Sequence, residues 1–353
     1  MAARIAIVAA LSLFGGCATP AFQPPSEPKA LRVLEQEHQQ QLALAQHHAD
    51  QNRLARIALP LQRAAAELCP QPPQAALGIR LSNQHFYPES LRNAAIRYWQ
   101  LGDVLQVTST LPGGAAAEAG VEVGDYLVQL DQQPLPTGES ATYSLNPLLA
   151  KLQPQQPVAL QVIRAGQPRQ LTLTPQAVCR YPLLLIDSDK VNAYATHTHI
   201  KVTRGLLRFA AGDWELAFVI AHEMAHNLRG HVPAQLSNGA SGALIDLWLI
   251  ANGIPSPGLF TLGSTHLHSK GFEREADYLA LYLMARAGFS LEHNSVYWRR
   301  VAANHPPRGD EPAGSTHPSL SERYLAMQRT LAEIKEKQQH NRPLLPEHFT
   351  EKP

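Results

Sequence analysis

Residues Ala221–His231 read AHEMAHNLRGH. On a helix, residues four apart share a face, so His222 and His226 would turn two imidazoles the same way, with Glu223 beside the first. The preceding residues Gly212–Ile220, GDWELAFVI, are apolar on nearly all sides. The spacing therefore predicts one helix over 212–231 running through the middle of a core, with Asp213 as its N-cap. His231 lies five residues beyond His226 and off the shared face, so it is expected to be structural.

Two histidines four apart, with a glutamate after the first, are two-thirds of a zinc site. Zinc accepts neutral imidazole nitrogen, and a catalytic zinc takes three protein ligands and a water. Metzincin spacing would need Gly at 229 and His at 232, but the chain has Arg229 and Val232. The better source of a third ligand is 47 residues past His226, in Phe272–Asp277, FEREAD. Glu273 and Asp277 are again four apart. Glu273 can complete a His-His-Glu set for one Zn2+ per chain. Asp277 can accept the N–H on the far side of a zinc histidine and fix its tautomer. Glu275 is rotated away and expected to be exposed. The alternative is a solvated helix face. Apolar residues on the adjoining faces weaken it, since a buried carboxylate pair needs a partner. Residues 271–288 read as a helix with Phe272, Ala276, Leu279 and Leu283 as its buried stripe and Gly288 as its stop. In this reading Glu223 is the general base and then the proton carrier to a leaving amine.

N-terminal to this lie short strands. Leu183–Ile186, LLLI, is a buried strand candidate, and 191–203, VNAYATHTHIKVT, reads as two strands around a turn. Residues 105–135, LQVTSTLPGGAAAEAGVEVGDYLVQLDQQPL, hold a strand, a loop, a small-residue helical turn, a Gly-Asp turn and another strand. This run resembles a PDZ domain, with Ala116, Ala119, Gly120, Val121, Gly124 and Asp125 at the characteristic places. Residues 146–152 fit the later helix and 157–175 the closing hairpin. Residues 76–81, ALGIRL, look like the carboxylate-binding loop and the strand after it. The resemblance implies a peptide or C-terminal ligand added to a sheet edge at Leu77, Gly78 and Ile79. The alternative is a small β-rich domain sharing a common turn signature.

The N-terminus, MAARIAIVAALSLFGGCATP, has a basic Arg4 and an apolar stretch of ten residues, too short to span a bilayer and shaped like an export signal. LFGGC resembles a bacterial lipobox, which implies lipid on Cys17. A plain cleaved signal is the alternative. Ala18 after it implies the outer membrane by the same resemblance. In an oxidising compartment Cys69 and Cys179 could pair; two buried thiols are the other possibility. The chain has 353 residues with 30 Lys+Arg against 29 Asp+Glu, a net charge of +1. That balance leaves no basic excess for nucleic acid. Residues 29–68 read as a spacer helix that packs in part on the main body, with a break near Pro60. The stretch Ala243–Ile254 is too short and too interrupted to cross a membrane.

AHEMAHNLRGH, FEREADYLALYLMARAG and the later STHPSLSERY (315–324) together resemble the gluzincin family that includes HtpX-like proteases, CAAX prenyl proteases, Oma-type proteases and BepA. The resemblance covers roughly 180–330. It implies a zinc metalloendopeptidase whose edge strand, NAYATHTHIKVTRGLL (192–207), aligns substrate backbone beside the metal. Here Ala195, Thr196 and His197 replace the usual A-D-G turn. The resemblance also implies a role for His317 as oxyanion stabiliser or reversible blocking ligand; a mundane helix start capped by Ser319 is the alternative. Arg323 is a candidate to hold that loop or a tetrahedral intermediate.

The expected fold class is α+β: a mainly helical zincin domain with a small sheet, preceded by a β-rich PDZ-like domain. The expected parts are a signal peptide at 1–17, a tether at 18–28, the spacer helix at 29–68, the PDZ-like domain at 70–178, the metalloprotease domain at 179–337 and a mobile tail at 338–353. By family analogy such a protein is lipid-anchored on the periplasmic face of the outer membrane and degrades unfolded or misfolded envelope proteins. The alternative function is a non-catalytic PDZ/zincin scaffold or chaperone.

Overall fold

The computed structural model describes residues 27–234, 259–292 and 320–347, with isolated residues between them. Cys17, His317, Ser319 and most of the apolar stretch around Trp248 lie outside the described residues. No helix among the described residues is long and apolar enough to cross a membrane.

Helix α1 spans Lys29–Ala64, a run rich in the strong helix formers Ala, Leu, Gln and Arg. Its first half leaves Leu31, Leu34 and Leu42 exposed, while Leu54, Ile57 and Leu61 in its second half are buried among the C-terminal helices. The partial packing expected of this spacer helix is made by its second half. Pro60 does not break it: the helix continues to Ala64 and gives way to a 3₁₀ turn at Ala66–Leu68. A proline removes one backbone donor, and here the buried residues on either side hold the helix through it.

Strand β1 (Gln74–Ala76) opens the β-rich unit, followed by β2 (Ile79–Ser82), α2 (Glu89–Trp99), β3 (Leu105–Thr110), the short α3 (Ala115–Glu118), β4 (Tyr126–Leu130), β5 (Gln133–Pro134), α4 (Ala141–Leu149), β6 (Val158–Arg164), β7 (Gln167–Leu173) and β8 (Gln176–Val178). The main sheet has the order β2-β3-β4-β6-β7, with β5 beside β4, so β2 is an edge. Leu105, Val107, Leu127, Leu160, Val162 and Leu173 fill its core. The Gly-Asp turn is locked by chemistry as well as backbone. Asp125, 1% exposed, accepts from the Glu122 amide at 2.9 Å and takes two prongs of Arg164 at 2.7 Å each. Strands β1 and β8 pair antiparallel and close the unit. Just outside that pair a disulfide joins Cys69 to Cys179.

Strands β9 (Leu183–Ile186), β10 (Ala193–Ala195) and β11 (Ile200–Thr203) form a small sheet in the order β10-β11-β9, with β9 parallel to β11. Strand β9 is an edge and only half-buried, where its unbroken apolar run suggested full burial. Helices α5 (Arg204–Phe209), α6 (Asp213–Leu228), α7 (Leu259–Arg286) and α8 (Leu320–Gln339) follow. Phe218 and Met224 of α6, Ala276, Leu279 and Leu283 of α7, and Met327 and Ile334 of α8 share one core with Ile57 and Leu61 of α1.

Two further expectations change. The N-cap of α6 is Gly212 rather than Asp213, whose carboxylate instead accepts from Arg53 at 2.7 Å. The capping contact comes from Glu215, reaching back to the Ala211 amide at 2.7 Å. The tail read as mobile is docked as far as Glu347. Lys337 Nζ donates to the Leu345 carbonyl at 2.6 Å, Arg286 donates to that of Leu344 at 3.3 Å, and the Glu347 amide donates to the Tyr278 hydroxyl at 3.0 Å.

Candidate metal centre

Helix α6 is buried nearly all round, yet it carries His222 and His226 on the one side that faces a cleft. Their Nε2 atoms are 3.1 Å apart. Helix α7 packs across α6 and delivers Glu273 to the same point. Its Oε2 is 3.5 Å from His222 Nε2 and its Oε1 is 3.4 Å from His226 Nε2. Zinc with bonds of about 2.05 Å in a tetrahedron sets its ligand atoms roughly 3.3 Å apart. Three buried lone-pair donors converging at this spacing fit such an ion, and among the described residues they are the cluster able to hold one.

The surrounding groups hold these side chains in place. Asp277 Oδ1 is 3.0 Å from His222 Nδ1, close enough for a hydrogen bond but not well aligned for one. Asp277 is at the same time drawn into a two-pronged pair with Arg323, at 2.7 Å on both oxygens. Arg323 Nη1 also reaches Glu273 Oε2 at 3.2 Å. Arg323, 7% exposed, thus braces both α7 carboxylates.

Charge follows from this packing. Burial pushes His222 down, but Asp277 and Glu273 outweigh it and hold the imidazole up at about 9. Burial would raise Glu273, yet its hydrogen bonds to His222 and His226 hold it well below the usual carboxylate range. Asp277 is likewise lowered against burial, by His222 and Arg323.

Glu223 stands apart from the metal-facing atoms. Its Oε2 accepts the Ala195 amide of the edge strand β10 at 2.8 Å. Burial raises its pKa, partly offset by the two histidines. The turn after β10 keeps its hairpin shape with His197 at φ +73°, a left-handed conformation that ordinarily favours glycine. A cleft of about 390 Å³ runs over this strand, bounded by Ala193, Phe218, Glu223 and Tyr297. Tyr297, which burial pushes up to about 12, had no signal in the sequence, because nothing in its spacing ties it to the motif helices.

One expectation about a neighbouring residue is corrected, and the place of another is filled in. Glu275 is not a free exposed side chain: it is paired to Arg229 and to His231, the latter at 3.0 Å. His231 lies off the metal-facing side of His226, against the ring nitrogen turned away from Glu273. It is 2% exposed and its Nδ1 lies 3.0 Å from His226 Nδ1.

Comparison with known proteins agrees with this geometry. Residues 170–331 match Peptidase family M48, and residues 75–174 match the PDZ domain. Residues 170–331 belong to peptidase family M48. The chain aligns with the mitochondrial metalloendopeptidase OMA1 of Schizosaccharomyces pombe at 31% identity over 144 residues, 39% of this chain and 42% of that one. The Saccharomyces cerevisiae protein of the same name is 31% identical over 143 residues, 37% of this chain and 40% of its own. A Vibrio cholerae protein, provisionally named a beta-barrel assembly-enhancing protease, is 27% identical over 163 residues, 40% of this chain and 33% of its own. The chain spans less than half the length of these relatives.

In the PDZ domain, Leu77 and Gly78 sit at the loop expected to bind a carboxylate, and Ile79 begins the edge strand β2. Their carbonyls are used internally: Leu77 O accepts from Ala116, and Gly78 O from Leu111, both at 2.8 Å. Gly78 has φ +66°, and a Cβ there would lie 2.7 Å from the Gly114 backbone, so no other residue fits. A cavity of about 320 Å³ opens between this loop, Leu149 at the end of α4, Leu152 beyond it, and Leu54, Ala58 and Leu59 of α1. That α1 walls the groove was not legible in the sequence.

Proposed function

We propose that this chain is a zinc endopeptidase that hydrolyses peptide bonds in the cleft between β10 and α6. The observation that carries the reading is the convergence of His222, His226 and Glu273 at ligand spacing, with Glu223 held one residue from the first histidine and against the edge strand. His222, His226 and Glu273 would hold the ion. When bound, zinc supplies Lewis acidity that polarises a carbonyl and brings the pKa of a water towards about 7. Glu223 takes the proton from the attacking water and passes it to the leaving amine. Its raised pKa suits a group that must hold that proton between the two steps. Asp277 and Arg323 keep His222 and Glu273 in place. An extended substrate pairs with β10, and the PDZ domain binds a peptide at β2.

The lipobox-like LFGGC supports anchoring through Cys17 at the periplasmic face of the outer membrane, with misfolded envelope proteins as the substrate class. His317 is proposed as a reversible blocking ligand or oxyanion stabiliser.

Zinc content and casein cleavage, measured on wild type and Glu223→Gln, test this function. Bound zinc in both, with cleavage in wild type only and a loss of about 10²–10⁴-fold in the variant, is expected. Stoichiometric zinc without cleavage, even after His317→Ala, would replace the protease with the scaffold reading. Cys17→Ser should release the protein from the membrane fraction, and continued membrane association would count against the anchor.

A further inference from the structure

His226 has a second ring nitrogen, and the residues around it form a closed chain of contacts. Its Nδ1 lies 3.0 Å from His231 Nδ1. His231 Nε2 lies 3.0 Å from Glu275 Oε2, and Arg229 Nε donates to the other oxygen of the same carboxylate. The His231 ring stacks on Phe272 at 4.4 Å between centroids, with planes 16° apart. This packing fixes the ring in one orientation. The chain reaches this position because α6 ends at Leu228 and Gly230 turns it with φ +64°. His231 is thereby folded back beneath His226 rather than carried 500° round a continuing helix.

Only one arrangement of protons satisfies all these contacts while leaving His226 Nε2 free to offer a lone pair. Nδ1 of His226 must carry the hydrogen and donate it to His231 Nδ1. His231 then carries its own hydrogen on Nε2 and donates it to Glu275, which Arg229 holds from the other side. His222 has a carboxylate beside its far nitrogen, whereas His226 reaches one through an intervening imidazole. Metal-binding histidines need such a partner to set tautomer and ring angle, and losing it ordinarily costs 10–100-fold in metal affinity.

We propose that His231 and Glu275 are positioning residues for the metal centre: a two-step relay that sets the tautomer and orientation of His226. The proposal rests on the reading of His222, His226 and Glu273 as zinc ligands. Neither relay residue belongs to the donor set of His222, His226 and Glu273.

The test is the zinc dissociation constant of the full chain, measured by competition with a chromophoric chelator and paired with circular dichroism to confirm folding. His231→Phe, which keeps the stack on Phe272 but removes the acceptor, should weaken zinc binding about 10–100-fold. Glu275→Gln, at a half-exposed position, should weaken it less. The double variant should be no weaker than His231→Phe alone, since both act through one ring. His231→Gln, whose amide can accept and donate, should recover part of the loss. In the cobalt-substituted protein, His231→Phe should alter the visible absorption, which a purely structural loss elsewhere would not. Unchanged affinity in folded His231→Phe and Glu275→Gln, or additive losses in the double variant, would overturn the relay. If His231→Phe does not fold, Glu275→Gln and His231→Gln decide by the same readout. A wild-type chain that binds no zinc would overturn the metal reading itself, which is a distinguishable outcome.

Discussion

Asp277 is the residue on which the most charge depends. It is 3% exposed, takes both prongs of Arg323 and lies beside His222. Asp277→Asn should leave Arg323 with one buried partner fewer. Breaking a buried pair of this kind costs about 3 kcal/mol or more, to be seen as a lower urea midpoint, with zinc affinity falling about 10-fold or more. Asp125 plays the comparable part in the PDZ domain. Burial would raise its pKa, but Arg164 and the Glu122 amide hold it down. A group lowered on folding contributes stability that is complete above its unfolded value, near 3.9, and is lost as pH falls towards its folded value. Urea midpoints of the wild type should therefore decline below about pH 4. Asp125→Asn should be less stable at neutral pH and should lack that part of the decline. These residues also mark how far the motifs could be read. His222, His226, Glu273 and Asp277 were legible because helical spacing of four puts side chains on one face whatever the fold, and Glu223 because it adjoins the first of them. Glu275 was misread, and the partners of His231 went unseen, for the same reason: periodicity speaks only of the helix itself, while these contacts lie across a helix pair and past a glycine turn.

Helix α1 shows the same limit one scale up. Its sequence identified it as a spacer helix packed in part on the body, but not which half enters the core or which core that is. Ile57 is 1% exposed and Leu61 fully buried within the M48 core. Leu61→Ala should cost about 2–5 kcal/mol, the range for emptying a leucine site in a packed interior. The same change at Leu34, 60% exposed, should leave the denaturation midpoint nearly unmoved. Equal effects at the two positions would show that α1 is not divided between spacer and core. The break expected at Pro60 failed because proline's local cost is a few kcal/mol, less than several buried aliphatic side chains return.

At the scale of the whole molecule, the Cys69–Cys179 disulfide ties the two ends of the PDZ domain beside the β1–β8 pair, closing a separation of 110 residues. The Cys179 amide also donates to Gln62 of α1 at 2.9 Å, so the bridge sits where α1, the PDZ domain and the M48 domain meet. On the chain-entropy model a loop of that size contributes about 5 kcal/mol. Thiol labelling of the unreduced protein should find both cysteines blocked. A Cys69→Ser, Cys179→Ser double variant should lose stability of that order in a denaturant titration. Free thiols at both positions would refute the bridge.

The sequence by itself determined the α+β class, the order of PDZ and M48 parts, and the motif residues on α6 and α7. Each of these is written in local periodicity or turn chemistry, which a short window of chain carries. Only the tertiary structure decided that α1 enters the M48 core and walls the PDZ groove, that Arg323 braces two carboxylates, that residues to Glu347 are docked, and that His231 lies under His226. Those depend on which faces of distant segments meet, and packing between elements leaves no repeating pattern in the chain that forms them.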